Sequence, residues 1–434
     1  MKVYSKKTAG AFAMVATAAL VLAGCSTSAE PAPGDDSAPA ETPAAEETLD
    51  TLKIAGLLPQ TGSLGFLMPP VEGGMYLALD DINEAGGVLG NPVEIVDIFN
   101  EGEGADRSVI DSSVDQLLSS DAAFVLGAMS TGQTLHVIDK ITEAGLMMGS
   151  PSNTGAVLEG YSPLYFRTAP SDNIQGGTLA QQIISDGITD VAFLTFNDDY
   201  GIGLRDKIQQ VLEDAGVNIT YGGTGEGNEF PGDQRAFTSD VTAAVKSGAE
   251  GIVIVTFDQS EQIIPELQDQ GFDPANIYLI DGNTNSLVGV VEAGSVVGMQ
   301  GTIPGAQQGD PAFADRVEAK YTEMTGNALE SFTYAPEAYD LMMLTALAAQ
   351  RGGSADPQTI SANVHAVSGA DGGEECETYE ECLALLEDGK EIHYVSKAGI
   401  GPLKNGDPSA AWIGIYEYDD SDTPQFKSEE FGEI

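Results

Sequence analysis

The feature that most restricts this chain is an alternation: short apolar runs separated by amphipathic stretches of helical period, repeated from Leu52 to Ile280. Leu52–Leu58, Val93–Ile98 and Ala122–Gly127 read as strands, rich in Val, Ile and Phe as strands covered on both faces must be. Between them, Val71–Glu84 carries Met75, Ala78, Leu79 and Ile82 on one helical face and stops at Gly86-Gly87. Ile110, Val114 and Leu117 mark the next helix. The pattern returns with strand Val191–Phe196, helix Leu204–Asp214, strand Gly251–Phe257, helix Gln262–Gln270 and strand Ile277–Ile280. Such a chain is α/β, with parallel sheets flanked by helices. The two series, one before about Tyr165 and one from Ala192, predict two sheets. About 380 residues follow residue 50, more than one core usually supports, so two lobes are expected. A long helix over Pro336–Gln350 and short strands such as Trp412–Tyr418 close the chain.

The first fifty residues are of another kind. Lys2, Lys6 and Lys7 precede an apolar stretch from Ala9 to Gly24, which ends in Leu22-Ala23-Gly24-Cys25. This is a secretory leader over 1–24, too short for a membrane span. Leu-Ala-Gly-Cys resembles the bacterial lipobox, which implies that Cys25 carries lipid and that the chain is held outside the cytoplasm at a membrane by that anchor alone. Residues 25–50 are Ser, Ala, Pro, Glu, Asp and Thr with almost no large apolar side chain, so they read as a solvated, disordered spacer.

The formal charge is −49, and losing a leader with three lysines and no acid takes it to −52. Such a chain repels nucleic acid and anionic headgroups. The acids are scattered rather than clustered, so they read as a solubilising surface. Besides Cys25 only Cys376 and Cys382 are present, close in sequence and without a His or further Cys at zinc-like spacing. In an exported chain they predict a local disulfide. No metal or cofactor motif is visible.

Ligands of open parallel sheets bind at the carboxyl ends of the strands. After the strand ending at Leu126 the chain reads Gly127-Ala128-Met129-Ser130-Thr131-Gly132 and enters a helix, with Ser130 at the N-cap. After Met147-Met148 comes Ser150-Pro151-Ser152-Asn153-Thr154-Gly155. The two loops offer hydroxyls and free amides on one sheet edge, a carboxylate cradle without a basic side chain. In the second series the matching loops are Asn197-Asp198-Asp199-Tyr200-Gly201, Thr256-Phe257-Asp258 and Asp281-Gly282-Asn283. An acid and two aromatics there suit an ammonium group and an apolar body. Taken singly, each loop could simply cap a helix or form a solvated turn.

These residues resemble the leucine/isoleucine/valine-binding type of solute receptor that serves ABC importers, with the two-lobed periplasmic-binding-protein type I fold. The resemblance spans Leu52 to about Tyr418. It rests on Gly73–Gly90, on Tyr165-Phe166-Arg167-Thr168 with Ser171-Asp172-Asn173 and Gln175-Gly176, on Asp199-Tyr200-Gly201-Ile202-Gly203, and on Tyr334-Ala335-Pro336-Glu337-Ala338-Tyr339-Asp340. It implies two parallel sheets joined by three crossover strands, near Thr168–Asp172, Thr302–Gly305 and Ala398–Gly401. Residues 51–168 and 303–398 would form lobe 1, 169–302 and 399–425 lobe 2, and 426–434 an acidic tail. Ser130, Ser152 and Thr154, with Met129 and Asn153 in the same loops, match the family's carboxylate site. Asp281 matches its ammonium acid, Tyr200 and Phe257 its closing aromatics, and Phe66 an aromatic of the side-chain pocket. Phe257 stands where better-known members have Tyr, and Asp281 is one methylene shorter than their Glu. The resemblance implies a monomer that closes on a branched-chain or similar amino acid and is read by a membrane permease. Relatives also take amides, urea and small aromatic acids, and the same domain serves as a sensor ectodomain, which here would need a separate signalling partner.

A hydrolase is the remaining reading. Ala128-Met129-Ser130-Thr131-Gly132 differs by one small residue from a Gly-x-Ser-x-Gly elbow. The nearest His, His136, is six residues along the helix on another face, and His365 and His393 lie outside the βα series, so no triad is expected.

Overall fold

Lys53–Leu58 (β1) has five successive buried residues, Ile54 to Leu58, so it must lie inside a sheet covered on both sides. The computed structural model describes residues 51–102, 106–305 and 311–434. The expected leader, Cys25 and the spacer fall outside these residues. From β1 the chain runs through α1 (Met68–Glu84), β2 (Glu94–Asn100), α2 (Ser108–Leu117), β3 (Phe124–Gly127), α3 (Thr131–Glu143), β4 (Met147–Ser150) and β5 (Tyr165–Arg167). The five strands form one sheet in the order β2-β1-β3-β4-β5, parallel throughout.

The chain then passes to a second sheet through α4 (Asp172–Ser185). There follow β6 (Asp190–Thr195), α5 (Asp199–Asp214), β7 (Asn218–Tyr221), α6 (Thr238–Lys246), β8 (Gly251–Val255), α7 (Ser260–Asp269), β9 (Ile277–Leu279) and β10 (Gln300–Pro304). Next come α8 (Pro311–Thr325), α9 (Ala335–Gly352), α10 (Pro357–Val367), β11 (Glu374–Cys376), α11 (Tyr379–Glu387), β12 (Ile392–Tyr394), β13 (Leu403–Lys404), β14 (Asp407–Pro408), β15 (Ala410–Tyr418) and β16 (Pro424–Glu433). The second sheet is seven-stranded, β16-β15-β10-β9-β8-β6-β7, with β15 and β16 antiparallel to their neighbours.

Two corrections to the expected boundaries follow. Residues 426–434 are not a tail: Phe426 to Glu433 pair with Ala410 to Tyr416 along β15. Glu429, Glu430 and Glu433, with Lys427, make β16 strongly charged and mostly exposed, which hid the strand behind its charge and leaves a sheet edge unattractive to another strand. The stretch 399–408 does not belong to the second lobe. Leu403 is buried in the first lobe's core, and Gly406 O accepts from Arg167 N on β5 at 2.9 Å. The last crossing is made at β15, where Ala411 and Ile413 pack on Ile174 of α4.

Each lobe has its own core. In the first, α9 lies buried against α1, with Ala338, Leu341, Met342, Leu344 and Leu347 all under 3 % exposed. Its Ala, Leu and Met content favours helix, and Gly353 ends it at φ 76°. Truncating one of these large side chains would cost about 2–5 kcal/mol. The second core is built on β6, β8 and β9 with Leu204, Ile208, Val241, Ile263 and Leu267 from the covering helices. Cys376 and Cys382 are bonded, stapling β11 to α11 at the far side of the first lobe. Among the described residues no helix is long and apolar enough to cross a membrane.

Candidate ligand-binding site

The carboxyl ends of β3 and β4 face those of β6, β8 and β9 across a cleft between the lobes. Leu64, Leu67, Met129, Ser130, Thr131, Ser152, Thr154, Tyr200, Phe257, Asp281, Gly282 and Tyr334 line it, around about 310 Å³ of space that includes its open mouth.

The first wall is built from the loops after β3 and β4. Ser130 caps α3: its Oγ accepts from Gln133 N at 3.1 Å, which leaves its own proton free for the cleft. The Thr131 and Gly132 amides stand in the first turn of α3, ahead of any carbonyl of the same helix. Ser152 is committed differently, since its Oγ donates to Met129 O at 2.8 Å and so offers only lone pairs to a ligand. Ser150 Oγ and Asn153 Nδ2 both donate to Ala128 O, at 2.8 and 2.9 Å, locking the two loops together. Arg167 grips the second loop from behind: Nη1 donates to Asn153 O and Gly155 O at 3.0 Å, while Nε pairs with Asp407 at 2.6 Å. A Cβ at Gly155 would overlap Thr131, so only glycine lets the loops approach this closely.

Behind this wall lies Glu101, 1 % exposed, whose carboxyl accepts from Met129 N at 2.5 Å. Burial without a charged partner pushes it up to about 8 from 4.5. The Met129 amide therefore points to Glu101 and is not among the amides free for a ligand.

The second wall centres on Asp281, 7 % exposed. Tyr200 Oη and Gln175 Nε2 donate to its Oδ1 at 2.6 and 2.9 Å, and Tyr334 Oη donates to Oδ2 at 2.6 Å. Burial pushes the acid up, and these three donors hold it down. Both tyrosines are driven well above their ordinary range by burial and by Asp281. Tyr334 belongs to the first lobe's core, so its bond to Asp281 spans the cleft. Its backbone sits at φ 63°, costly for a non-glycine residue and tolerated where surrounding structure fixes it. Phe257 stacks on Tyr200 at 5.4 Å and touches both cores. The lobes also meet where Asp198, the N-cap of α5, packs on α3: a Cβ at Gly132 would overlap its Oδ2.

Of the residues named from sequence, Met129, Ser130, Ser152, Thr154, Tyr200, Phe257 and Asp281 line one cleft. Phe66 and Asn153 do not. Phe66 packs on the first core while its loop neighbours Leu64 and Leu67 reach the cleft, because the helical turn Gly65–Leu67 rotates it away. Asn153 is fully buried as a tie between loops. Thr131, Gly282, Tyr334, Leu64 and Leu67 also line the cleft without having been expected there; Tyr334 stands immediately before α9, two residues ahead of Pro336, the one signal that could have drawn attention to it.

Residues 51–376 match the periplasmic binding protein family. The chain belongs to that family. It is 26% identical over 320 residues, 72% of this chain and 81% of the relative, to the leucine-, isoleucine-, valine-, threonine- and alanine-binding protein of Pseudomonas aeruginosa. Among solved structures, the branched-chain amino acid transporter substrate-binding protein LivJ from Streptococcus pneumoniae, in complex with isoleucine, matches at TM-score 0.67 and 20% identity, covering 88% of this chain and 100% of that one. A solute-binding protein of an ABC transporter from Rhodopseudomonas palustris, in complex with p-hydroxybenzoic acid, matches at 0.70 and 16%, covering 88% and 97%. Periplasmic binding proteins bind solutes, and in this one the Ser130 hydroxyl does not meet a His: His136 pairs with Asp111 on α2 instead.

Proposed function

We propose that this protein captures a small α-amino acid, branched-chain or similar, outside the cytoplasm and delivers it to the permease of an ABC importer. The observation that carries the reading is the chemistry of the two walls. Uncharged donors at the N-terminus of α3 suit a carboxylate, and opposite them a single buried acid, Asp281, suits an ammonium. Leu64, Leu67, Met129 and Phe257 supply the apolar surface for an aliphatic side chain. An aromatic acid such as the one bound by the Rhodopseudomonas relative would leave Asp281 unpaired and desolvated, which is costly.

The leader, the lipobox and the spacer support an anchor at the membrane through a lipid on Cys25, which keeps the loaded receptor at high local concentration beside its permease, and a cleft lined by one chain suits a monomer. The reading is tested by calorimetry of the purified chain with leucine, isoleucine, valine, other amino acids and 4-hydroxybenzoate. Binding of the aliphatic amino acids is expected; binding of 4-hydroxybenzoate alone would overturn it.

A further inference from the structure

Beneath the cleft lies a carboxyl group that the capture chemistry above leaves unused. Asp172 opens α4 at the first crossing between lobes, and its amide donates to Thr154 O at 2.7 Å. Its side chain is fully buried; the Thr154 hydroxyl is the one hydrogen-bond donor acting on it, and neither Oδ1 nor Oδ2 has a partner at good hydrogen-bond geometry. One turn on, Gln175 gives its amide nitrogen to Asp281 Oδ1 at 2.9 Å and to Thr302 Oγ1 at 3.1 Å, while its own buried Oε1 is also without a donor. Three buried acceptors on one helical face beside a second acid are short of donors, and a proton on one carboxyl is the smallest addition that supplies one.

We propose that Asp172 is a second acid of this site, holding a proton in the free receptor and releasing it when the ligand's ammonium group arrives, so that capture selects for a cationic head. This rests on the amino-acid reading above.

The charged and titratable groups acting on Asp172 are Asp281 after β9, Glu159 before β5, Arg167 on β5, Tyr200 on α5 and Tyr334 at the start of α9, with the Thr154 hydroxyl beside it. Arg167 is the one cation among them; its Nε pairs with Asp407 and its Nη1 with two carbonyls, while its buried Nη2 has no partner. Burial first, then repulsion from Asp281, drives Asp172 well above the usual carboxylate range. The ammonium neutralises Asp281 and removes that repulsion. The Asp172 O–H bond then breaks, the proton leaves to solvent, and the carboxylate takes the Thr154 hydroxyl proton as a hydrogen bond, turning that oxygen's lone pairs to the ammonium. A carboxylic acid without an amino group leaves Asp281 unneutralised and the proton in place.

Ligand affinity therefore rises with pH, about tenfold per unit for one linked proton, over the range where the free receptor holds the proton and the complex does not. The test is calorimetry of the full chain with leucine between pH 5 and 9, in buffer pairs of different ionisation enthalpy, with 4-methylpentanoate as the amino-free control. About one proton released per leucine is expected over part of that range, with none in Asp172→Asn, which should also narrow the preference for leucine over 4-methylpentanoate by roughly tenfold. Should Asp172→Asn fail to fold, Asp172→Ser takes its place, and a wild-type count of zero still overturns the proposal. Leucine binding with no proton release at any pH overturns the proposal and leaves amino-acid capture standing. So does release that persists in Asp172→Asn. Binding of 4-hydroxybenzoate but no amino acid removes both readings.

Discussion

The two walls of the cleft hold their functional groups in opposite ways. The first wall is electrically neutral at its surface and wired through the backbone: Ser130 by its cap, Ser152 by Met129 O, and the whole second loop by Arg167 gripping two carbonyls. The second is a buried charge wired through side chains, with Asp281 held by Tyr200, Tyr334 and Gln175, one of which comes from the other lobe. Backbone wiring tolerates the loss of one side chain, because helix dipole and amides remain. A buried acid has no such reserve, since an unpaired partner keeps the full cost of desolvation.

The largest effect should therefore come from the second wall. Asp281→Ala leaves the ligand's ammonium buried without its counter-charge and is expected to cost about 2–5 kcal/mol of binding, roughly 30-fold to a few thousand-fold in Kd. Glu261→Ala, on the first turn of α7 and outside the cleft lining, is the control. Equal and small effects in calorimetry would place the ammonium elsewhere.

The neutrality of the first wall depends on Glu101 keeping its proton. Its folded value of about 8 exceeds the unfolded 4.5, so between them the folded chain holds a proton that the unfolded chain has released. Stability contributed by this group is present below about 4.5, falls as pH rises to about 8 and is lost above it. Glu101→Gln keeps an oxygen for the Met129 amide and removes the titration. The full shift is worth about 5 kcal/mol, reduced to about 2–4 because the new amide needs its own partners in a buried site. Thermal unfolding should show the variant more stable than wild type at pH 9, with the gap closing near pH 4.5; a gap independent of pH would mean that Glu101 does not titrate there.

Tyr334→Phe asks how far the second wall relies on the first lobe. It removes one of the three donors to Asp281 and the bond that spans the cleft, an interaction with a charged group of about 1.5–3 kcal/mol. Affinity is expected to fall roughly 10- to 150-fold, with dissociation faster because the closed form loses a tie. An unchanged off-rate would show that the bond does not hold the lobes closed on the ligand.

The same contrast explains what could be read from sequence. Hydrophobic period placed the α/β units of both lobes, because doubly covered strands such as Gly251–Val255 must be apolar throughout. It failed at β16, where an edge strand is short of apolar residues and carries Lys427, Glu429, Glu430 and Glu433. Strand-end logic and the family resemblance brought Ser130, Thr154 and Asp281 to one place. They missed Glu101 and Asp172, whose roles come from burial and from partners far along the chain. Asp172 comes near Asp281 only through the packing of α4 on the second sheet, and no local pattern records that.

The smallest effect is expected at Ser130, and it probes the backbone-wired wall directly. Ser130→Ala removes the α3 cap, worth about 1 kcal/mol of stability, and one hydroxyl donor to the ligand carboxylate. The site is half-buried, so water can reach the vacated position, and the Thr131 and Gly132 amides still point there. The loss in affinity should be about 1 kcal/mol, five- to tenfold, and the same at pH 5 and pH 9, because no titrating group is lost. A loss as large as that of Asp281→Ala would mean that the hydroxyl, not the helix N-terminus, holds the carboxylate, and the two walls would then work by the same principle.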